Sequence, residues 1–516
     1  MTPLLAISVG AAPEQELLWT VVEGEEPAQR LDERAFVYDL ELSSGFHATA
    51  RAPETSLYFD DETGELLLRN LFTPRAPEYY PVLSAGVVID TDWQDGWGLR
   101  LRADTGELYD GGQRLYGEGG LESNGQSLSS EFQSTGFIRE LTIAWSRPWA
   151  DVLIGKQQAM VLAGLVYGDD GLGISIHTDL EELGLGPFSA ALCLQAVGYS
   201  WSDYVSPNPL LAGRLTWHHG FFENLALEGA VFIDRSDVFA DALASLPMEL
   251  ALRNGAEPTL EFGSLLEAQS SGVMRYLGAT GHHFLAERLS LTYAFAWQTG
   301  SLRTSRPDPM TLLDEELFAD RPDIEADLAF DAWAVTAELH WSVSRAFGLS
   351  LFGVSMTGQA PPRPEPDGAV PMRVFVAPAP YWAWSGLFFS GMLNQGYLAS
   401  RSNTAGINGH GVRVVGAKMD MAWLESQNLI RILWIRADEP RPLPGPGGPS
   451  VNQTSQEFTS DYGFEVDLLT DVALYEWEGA QVTLMTELDI LFAGDFFREE
   501  SVGYRFMGQL RVDYGG

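Results

Sequence analysis

The chain has 516 residues, 45% of them hydrophobic, and 31 Lys and Arg against 71 Asp and Glu give it a formal net charge of −40. This acidity argues against nucleic-acid binding, which needs a basic surface to neutralise phosphates. Cys193 is the only cysteine, so the chain can form neither an internal disulfide nor a thiolate metal cluster. It also has no run of about 18 apolar residues, as a transmembrane helix would require.

The N-terminus reads MTPLLAISVGAAPEQE. The apolar stretch 3–12 ends in small residues and is followed by polar sequence, as at the end of a secretory signal that lacks its basic start. An ordinary chain terminus is the alternative interpretation. We therefore predict a signal remnant or periplasmic segment at 1–30, followed by a single domain at 31–516.

Apolar and polar residues alternate along most of the chain. In the final segment, Tyr504, Phe506, Leu510 and Val512 form one set, and the residues between them form a polar set. Side chains of a strand point alternately to its two faces, so this period of two predicts strands with one apolar and one polar face. The same pattern recurs from residue 36 onward, which predicts an all-β protein.

The connections between these predicted strands alternate between short and long. Such alternation places all tight turns at one end of an up-and-down sheet, as in a transmembrane antiparallel β-barrel with short periplasmic turns and long extracellular loops. The sequence therefore predicts a barrel in the bacterial outer membrane. The predicted long loops cover 49–78, 105–136, 236–271, 300–330, 359–408 and 439–460.

The predicted number of strands depends on two segments. About 15 strands follow residue 137 and three precede it, which gives about 18, and single-chain bacterial barrels use even numbers. Residues 57–70 would make the number odd, so we interpret them as a hairpin inside the first outer loop, turning at 62–64. A further wall strand at 17–22 would raise the total to about 20.

Aromatic residues flank several predicted tight turns. Trp145 and Trp149 lie beside one turn, Phe221 and Phe222 beside another, and Trp477 beside a third. Trp and Tyr favour the level of lipid headgroups because they are apolar with one polar tip. The arrangement predicts a membrane girdle, with lipid and lipopolysaccharide as partners of the outer surface.

Charged residues on the polar faces are the candidate lumen lining. Pairing of the first and last strands would bring Asp39 and Glu41 near Arg505 and Arg511. The electrostatic field of these residues would select solutes by charge, or the residues would form a ladder of cross-strand ion pairs that only stiffens the wall. Arg214, with two arginines of an early strand, could form an opposing basic strip. The full predicted set is Asp39, Glu41, Arg100, Arg102, Arg214, Glu465, Asp467, Glu487, Asp489, Arg505 and Arg511.

Residues 377–389 (APAPYWAWSGLFF) are apolar and aromatic but do not alternate. A constriction loop folded into the lumen would have this composition, with Tyr381, Trp382 and Trp384 as its candidate residues; packing against another loop is the alternative. Sequence motifs of hydrolases, zinc proteases and nucleotide-binding loops do not occur. We expect no enzymatic activity, no cofactor and no metal site.

Two segments resemble a known family. Residues 137–158 (FIRELTIAWSRPWADVLIGKQQ) resemble a hairpin of many porins and of the alginate-export family, with Lys156 where the family has Arg, and 409–423 (GHGVRVVGAKMDMAW) resembles a late strand of that family. The resemblance implies an 18-stranded monomeric barrel that passes an acidic polysaccharide outward. The chain departs from it in a mixed, rather acidic lumen face and in a Gly-Gly end after Tyr514.

These patterns predict an outer-membrane pore or export conduit for hydrophilic solutes, with polysaccharide as one candidate cargo. The alternative is a structural barrel that sheathes or anchors another protein of the periplasm or envelope. The acidic wall favours cations or neutral solutes.

Overall fold

Strands dominate the part of the chain that a computed structural model describes. The described residues are 37–50, 53–60, 65–72, 78–92, 96–104, 138–197, 208–218, 224–235, 239, 269–306, 324–358, 370–378, 384, 411–423, 426–442, 458–477, 480–495 and 502–515. For β1 to β3 below, nearly all of β4 and a few other positions, only the backbone is described. The predicted signal remnant and the alternative strand at 17–22 lie outside the described residues. The described part has no helix that could cross a membrane.

The alternating residues form the strands β1 (Val37–Ala50), β2 (Pro53–Asp60), β3 (Glu65–Phe72), β4 (Glu78–Asp92), β5 (Trp97–Asp104), β6 (Ile138–Arg147), β7 (Ala150–Val161), β8 (Tyr167–Asp179), β9 (Phe188–Val197), β10 (Asn208–Trp217), β11 (Leu225–Asp234), β12 (Gln269–Ala286), β13 (Leu289–Arg306), β14 (Ile324–Ser344), β15 (Phe347–Met356), β16 (Val370–Met372), β17 (Val412–Trp423), β18 (Ser426–Pro442), β19 (Phe458–Trp477), β20 (Ala480–Ala493) and β21 (Val502–Gly515).

The strands pair as an up-and-down ring. Within the 19-stranded sheet, each strand pairs antiparallel with the next along the chain, except that β4 follows β1 directly and β17 follows β15. Strand β21 pairs with β1, so the pairing returns to its start. Apart from the short β16, the described sheet is thus a ring of eighteen antiparallel strands, which confirms the predicted barrel and its lower strand count.

The first outer loop contains the predicted hairpin. Strands β2 and β3 pair only with each other, and the connection between them covers 61–64. The wall strands, however, extend further into other predicted loops: β13 continues to Arg306, and β14 begins at Ile324. These strands are far longer than the 9–11 residues that cross a bilayer. Their outer ends therefore project beyond the membrane.

The outward face is apolar and exposed. Near the short turns lies an inner girdle of exposed tryptophans: Trp97, Trp149, Trp217, Trp341, Trp423 and Trp477. Toward the long loops lies an outer girdle: Trp297, Trp333, Trp434, Phe464, Phe492 and Tyr504. On β14 the two girdles are eight residues apart, from Trp333 to Trp341. At about 3.4 Å per residue and about 40° of tilt, this spans about 20 Å, close to the apolar band of an outer membrane.

The predicted girdle residues Trp149 and Trp477 lie in the inner girdle. Trp145 packs edge-on against Trp149 at a centroid distance of 6.0 Å, beside the β6–β7 turn. Phe221 and Phe222 lie outside the described residues. An exposed apolar band between two aromatic girdles has no stable place in water. The barrel therefore spans the bacterial outer membrane, where this architecture occurs.

We expect a charge in the middle of the apolar band to be costly. Leu192 on β9 is 49% exposed and lies about 10 Å from the inner girdle, toward the long loops. Leu185 in the short β8–β9 turn is 67% exposed and lies on the other side of that girdle, outside the apolar band. Leu192→Arg should weaken folding into lipid vesicles by about 2–4 kcal/mol and Leu185→Arg by about 1 kcal/mol at most, measured by equilibrium urea titration. Equal losses for the two variants would contradict the membrane assignment.

Candidate functional site

An apolar core lies inside the barrel, in the half nearer the long loops. Inward-facing residues of strands between β7 and β20 contribute to it, as do two connections that fold inward, 161–167 and 372–377. Its members without measurable exposure include Leu162, Val166, Leu210, Phe232, Phe239, Met274, Ala296, Ala334, Met356, Val374, Phe375, Val376, Ala377, Leu433, Ile435 and Tyr462. This part of the lumen is therefore packed with side chains. Parity correctly predicts which side chains point inward, but not that they are covered.

A buried carboxylate anchors the first inward connection. Leu162 and Ala163 both adopt a positive φ of 53°, which turns the chain into the barrel. The backbone N–H of Leu162 donates to Oε2 of Glu228 over 2.7 Å, and the hydroxyl of Thr280 donates to Oε1 over 2.8 Å. Arg214, directly opposite Glu228 on β10, places its Nε 3.8 Å from the same carboxylate. Glu228 therefore joins β10, β12 and the inward turn.

The second inward segment follows β16. Strand β14 extends beyond the end of β15, and β16 pairs in parallel with the edge that this leaves, at Leu328 to Phe330. The next residues enter the barrel, where the side-chain amide of Gln298 pairs with the backbone of Val376. Its Nε2 donates to the carbonyl over 2.8 Å, and its Oε1 accepts from the N–H over 3.0 Å. The hydroxyl of Tyr276 also donates to that carbonyl over 3.0 Å. The N–H of Phe375 also donates to the carbonyl of Thr357 over 3.1 Å, so four described hydrogen bonds hold this segment.

The predicted constriction loop overlaps this segment only in part. Ala377 and Pro378 are buried in the barrel, and Trp384 packs against the core. Tyr381 and Trp382 lie outside the described residues. Most of the residues that the structure places in the lumen, 372–376, come just before the predicted loop. The sequence analysis missed them because their composition is not distinctive.

A charged cluster is buried in the wall next to the core. Glu465, Asp467, Glu487 and Asp489 are all 0% exposed and point inward from β19 and β20. Carboxylate oxygens of three of them, Glu465, Asp467 and Asp489, lie within 4.8 Å of one another. Arg431 on β18 is also buried, and its Nε donates to Oδ2 of Asp467 over 2.6 Å. The four acids occupy the predicted face, but they do not border an open channel. Their role in solute selection stays a prediction.

The register corrects part of the predicted closure. Arg505 pairs with Asp489 on one side, as expected, but with Thr49 on the other, while Asp39 pairs with Gly515. Asp39 and Arg505 are therefore at different depths and are not neighbours. Glu41 is opposite Asp513, whose carboxylate accepts from Nε of Arg511 over 2.8 Å. The side chains of Asp39, Glu41, Arg102 and Arg505 lie outside the described part.

The predicted basic strip is not continuous. Arg100 is exposed on β5, where it lies between Asp90 and Thr142 in register, whereas Arg214 is on β10, five strands further along the ring. Arg214 faces its own neighbour Glu228 instead of an open lumen. The basic residues therefore belong to separate local networks.

Polar side chains near the short turns remain partly exposed inside the barrel. Nζ of Lys418 lies 2.6 Å from Oε2 of Glu338 and 4.9 Å from the ring of the core residue Phe352. His340 shares hydrogen bonds with Ser350 at 2.9 Å and Ser342 at 3.1 Å. The inner mouth, as we name this region, consists of Glu338, His340, Lys418, Asp420, Asp471, Arg511 and Asp513.

Sequence reasoning missed Gln298, Arg431 and most of the inner mouth. Arg431 had a usable signal, because it interrupts an apolar run, LIRILWI, at an inward-facing position of its strand.

His282 and His283 are adjacent on β12, so their side chains are expected to point to opposite faces of the strand. His282 bonds the inward Thr292 at 2.8 Å, while His283 bonds the outward Tyr293 at 3.1 Å. The two rings therefore point to opposite faces.

The chain is similar in structure to several solved outer-membrane proteins. No family model and no curated protein matches its sequence. Its superposition on Pseudomonas aeruginosa OpdQ covers 94% of this chain and 99% of OpdQ, with a TM-score of 0.46 and 8% sequence identity. For P. aeruginosa outer membrane protein OpdK, the coverage is 93% and 98%, the TM-score 0.43 and the identity 8%. For Acinetobacter baumannii OccAB4 the superposition covers 94% of this chain and 99% of OccAB4, with a TM-score of 0.43 and 8% sequence identity. The fold assignment rests on the strand pairing described above.

We expect Arg431 to be necessary for the stability of the barrel. Arg431→Met leaves buried carboxylates without their described cation and should reduce the free energy of unfolding by about 3–5 kcal/mol. Arg511→Met, which removes a partly exposed partner of Asp513, should cost about 1 kcal/mol at most. Urea unfolding of both variants in lipid vesicles measures the difference. A loss for Arg431→Met as small as that for Arg511→Met would contradict the inferred burial of charge.

Proposed function

We propose that this barrel is an outer-membrane pore that passes hydrophilic solutes through a lumen narrowed by inward-folded segments. The observation that carries the proposal is the contrast between the two halves of the interior. The inner mouth is charged and accessible, whereas the described part of the outer half contains an apolar core that includes 372–377. Passage would require that segment to move, so it serves as the gate of the proposed pore.

The way the gate is held supports this role. Each hydrogen bond to Val376 contributes about 1 kcal/mol net and the buried side chains of 374–377 add apolar burial, but none of these contacts belongs to the backbone ladders of the ring. The wall, in contrast, is held by continuous ladders of backbone hydrogen bonds on both sides of each strand. Movement of the gate therefore leaves the ring intact.

The inner mouth supports a preference for cations or neutral solutes. It contains four carboxylates against two basic side chains, and charged residues at a mouth select ions by sign. Four inward basic residues, Arg214, Lys418, Arg431 and Arg511, each lie within 4.0 Å of a carboxylate. No described feature favours an anionic polysaccharide, which would also need a wider passage. The proposed partners are membrane lipid and small hydrophilic solutes, with no enzymatic step and no cofactor.

Loosening the gate should open the pore. Gln298→Leu removes both bonds to the Val376 backbone and leaves the buried N–H of Val376 unsatisfied, while Tyr276 still donates to the carbonyl, and this disfavours docking by about 1–3 kcal/mol. We expect the open probability in planar-bilayer recordings to rise about tenfold or more. Gln157→Leu is the matched control, because Gln157 is also buried and inward but bonds Ser175 of the wall.

The decisive variant lacks 359–408 and with them the gate segment. A folded barrel that shows no conductance even then would rule out the proposed pore. A rise in open probability for Gln157→Leu equal to that for Gln298→Leu would instead rule out 372–377 as the gate.

Neutralising the inner mouth should change ion selectivity. Asp420→Asn with Asp471→Asn removes two of its four accessible carboxylates, so the cation preference should fall. The reversal potential across a KCl gradient measures this directly, with the open Gln298→Leu barrel as the background. An unchanged reversal potential would exclude the inner mouth as the selective region.

A second candidate function follows from the same packed interior. A structural barrel that anchors another envelope protein has no need of an open lumen, and a packed apolar core in the outer half is compatible with such a role. Such a barrel would co-purify with one stoichiometric protein from native membranes and stay closed after deletion of 359–408.

A further inference from the structure

The connection from β15 to β17 leaves the wall at the peptide unit between Thr357 and Gly358 and returns to it at Gly411. Gly411 adopts a positive φ of 67°, and a Cβ atom added there would lie 2.5 Å from the backbone nitrogen of Gly358. The two ends of the connection are therefore in close backbone contact, which requires a residue without a side chain. The segment 372–377 is thus attached to the ring through one narrow base.

A carboxylate of the wall binds this base. The backbone N–H of Gly358 donates to Oδ2 of Asp438 on β18 over 2.9 Å. The other carboxylate oxygen, Oδ1, accepts from Nε of Arg413 on β17 over 2.7 Å. The side chain of Asp438 is only 10% exposed, whereas that of Arg413 is 63% exposed. Arg413 therefore holds the carboxylate from its exposed side, and Oδ2 is directed at the peptide unit.

One peptide unit connects this carboxylate to the segment inside the barrel. The N–H of Gly358 and the carbonyl of Thr357 belong to the same planar group, and in a trans peptide they point in opposite directions. That carbonyl accepts from the backbone N–H of the buried Phe375 over 3.1 Å. The direction of the N–H toward Asp438 thus determines the direction of the carbonyl toward the segment. Hydrogen bonds to a charged acceptor are about twice as strong as those between neutral groups, so Asp438 provides the stronger attachment of this peptide unit.

We propose that Asp438 is a positioning residue of the gate, which it holds in the docked position by fixing the peptide unit at Gly358. Without the carboxylate, this peptide unit can rotate and its carbonyl can turn away from Phe375, so the segment 372–377 leaves the core more often. Gln298 and Asp438 then hold the same segment from two places, one in the lumen and one in the wall. The inference rests on the proposed function in treating this segment as the gate, so its position is measured separately from conductance.

Thiol labelling of the folded full chain in lipid vesicles measures the position of the segment. Val374 has no measurable exposure, so V374C in a C193A background reports when the segment becomes accessible to a water-soluble maleimide. Adding D438A should increase the labelling rate about tenfold or more, because a buried thiol reacts only in the fraction of molecules in which the segment is open. D438N, which keeps an acceptor for the N–H but not the charge, should give a smaller increase.

The control variant is D461A. Asp461 is also a partly buried carboxylate near the outer girdle, but it accepts from Nε1 of Trp434 in the wall over 3.2 Å. Its removal should leave the labelling rate of the V374C/C193A parent unchanged. In parallel bilayer recordings, D438A should raise the open probability of the otherwise wild-type chain about tenfold or more. It should not change the conductance of the barrel that lacks 359–408, whereas a general weakening of the wall would affect both.

Heat-modifiable migration on a gel verifies that each variant is folded, and D438N carries the test if D438A does not fold. Equal labelling of the folded Asp438 variants and their parent, or an equal increase for D461A, overturns the inference. Faster labelling of D438A without a rise in conductance would instead contradict the proposed pore, while the role of Asp438 in positioning the segment would stand.

Discussion

Closure of the hydrogen-bonded ring is the constraint on which the rest of this structure depends. Lipid offers no partner for a backbone N–H or C=O, so an open sheet edge inside the membrane costs several kcal/mol per group. Pairing of β21 with β1 removes the last edges. The hairpin β2–β3 stays outside the ring because β1 pairs directly with β4 and leaves no free edge between them.

Closure also determines where a core can form. A barrel buries no apolar surface on its lipid side relative to a hydrocarbon solvent, so ordinary hydrophobic packing has to occur inside. Here the inward faces of strands between β7 and β20 provide small and branched residues, and connections such as 372–377 supply side chains that pack between them. The interior therefore resembles a soluble protein core in its outer half and a polar channel mouth in its inner half.

The sequence was sufficient to predict the ring, because its evidence is periodic or is repeated from strand to strand. Parity placed Glu465 and Asp467 inward, and the alternation of loop lengths placed all short turns at one end. Register was predicted less well, since a shift along the strands preserves parity; Arg505 therefore lies opposite Thr49 and far from Asp39. Burial inside the lumen was predicted only as one alternative for 377–389, because it depends on aperiodic segments that fold back onto the wall.

Two sets of polar contacts inside the barrel differ in the parts of the chain that they connect. The Arg431 cluster belongs to the wall, so breaking it leaves the buried Asp467 without its described cation. Gln298 instead bonds a segment that is not part of the ring, and its amide can return to water when that segment leaves. In the proposed pore, stability and movement would therefore depend on different residues. The backbone ladders and the Arg431 cluster would keep the shape of the ring while the segment 372–377 moves.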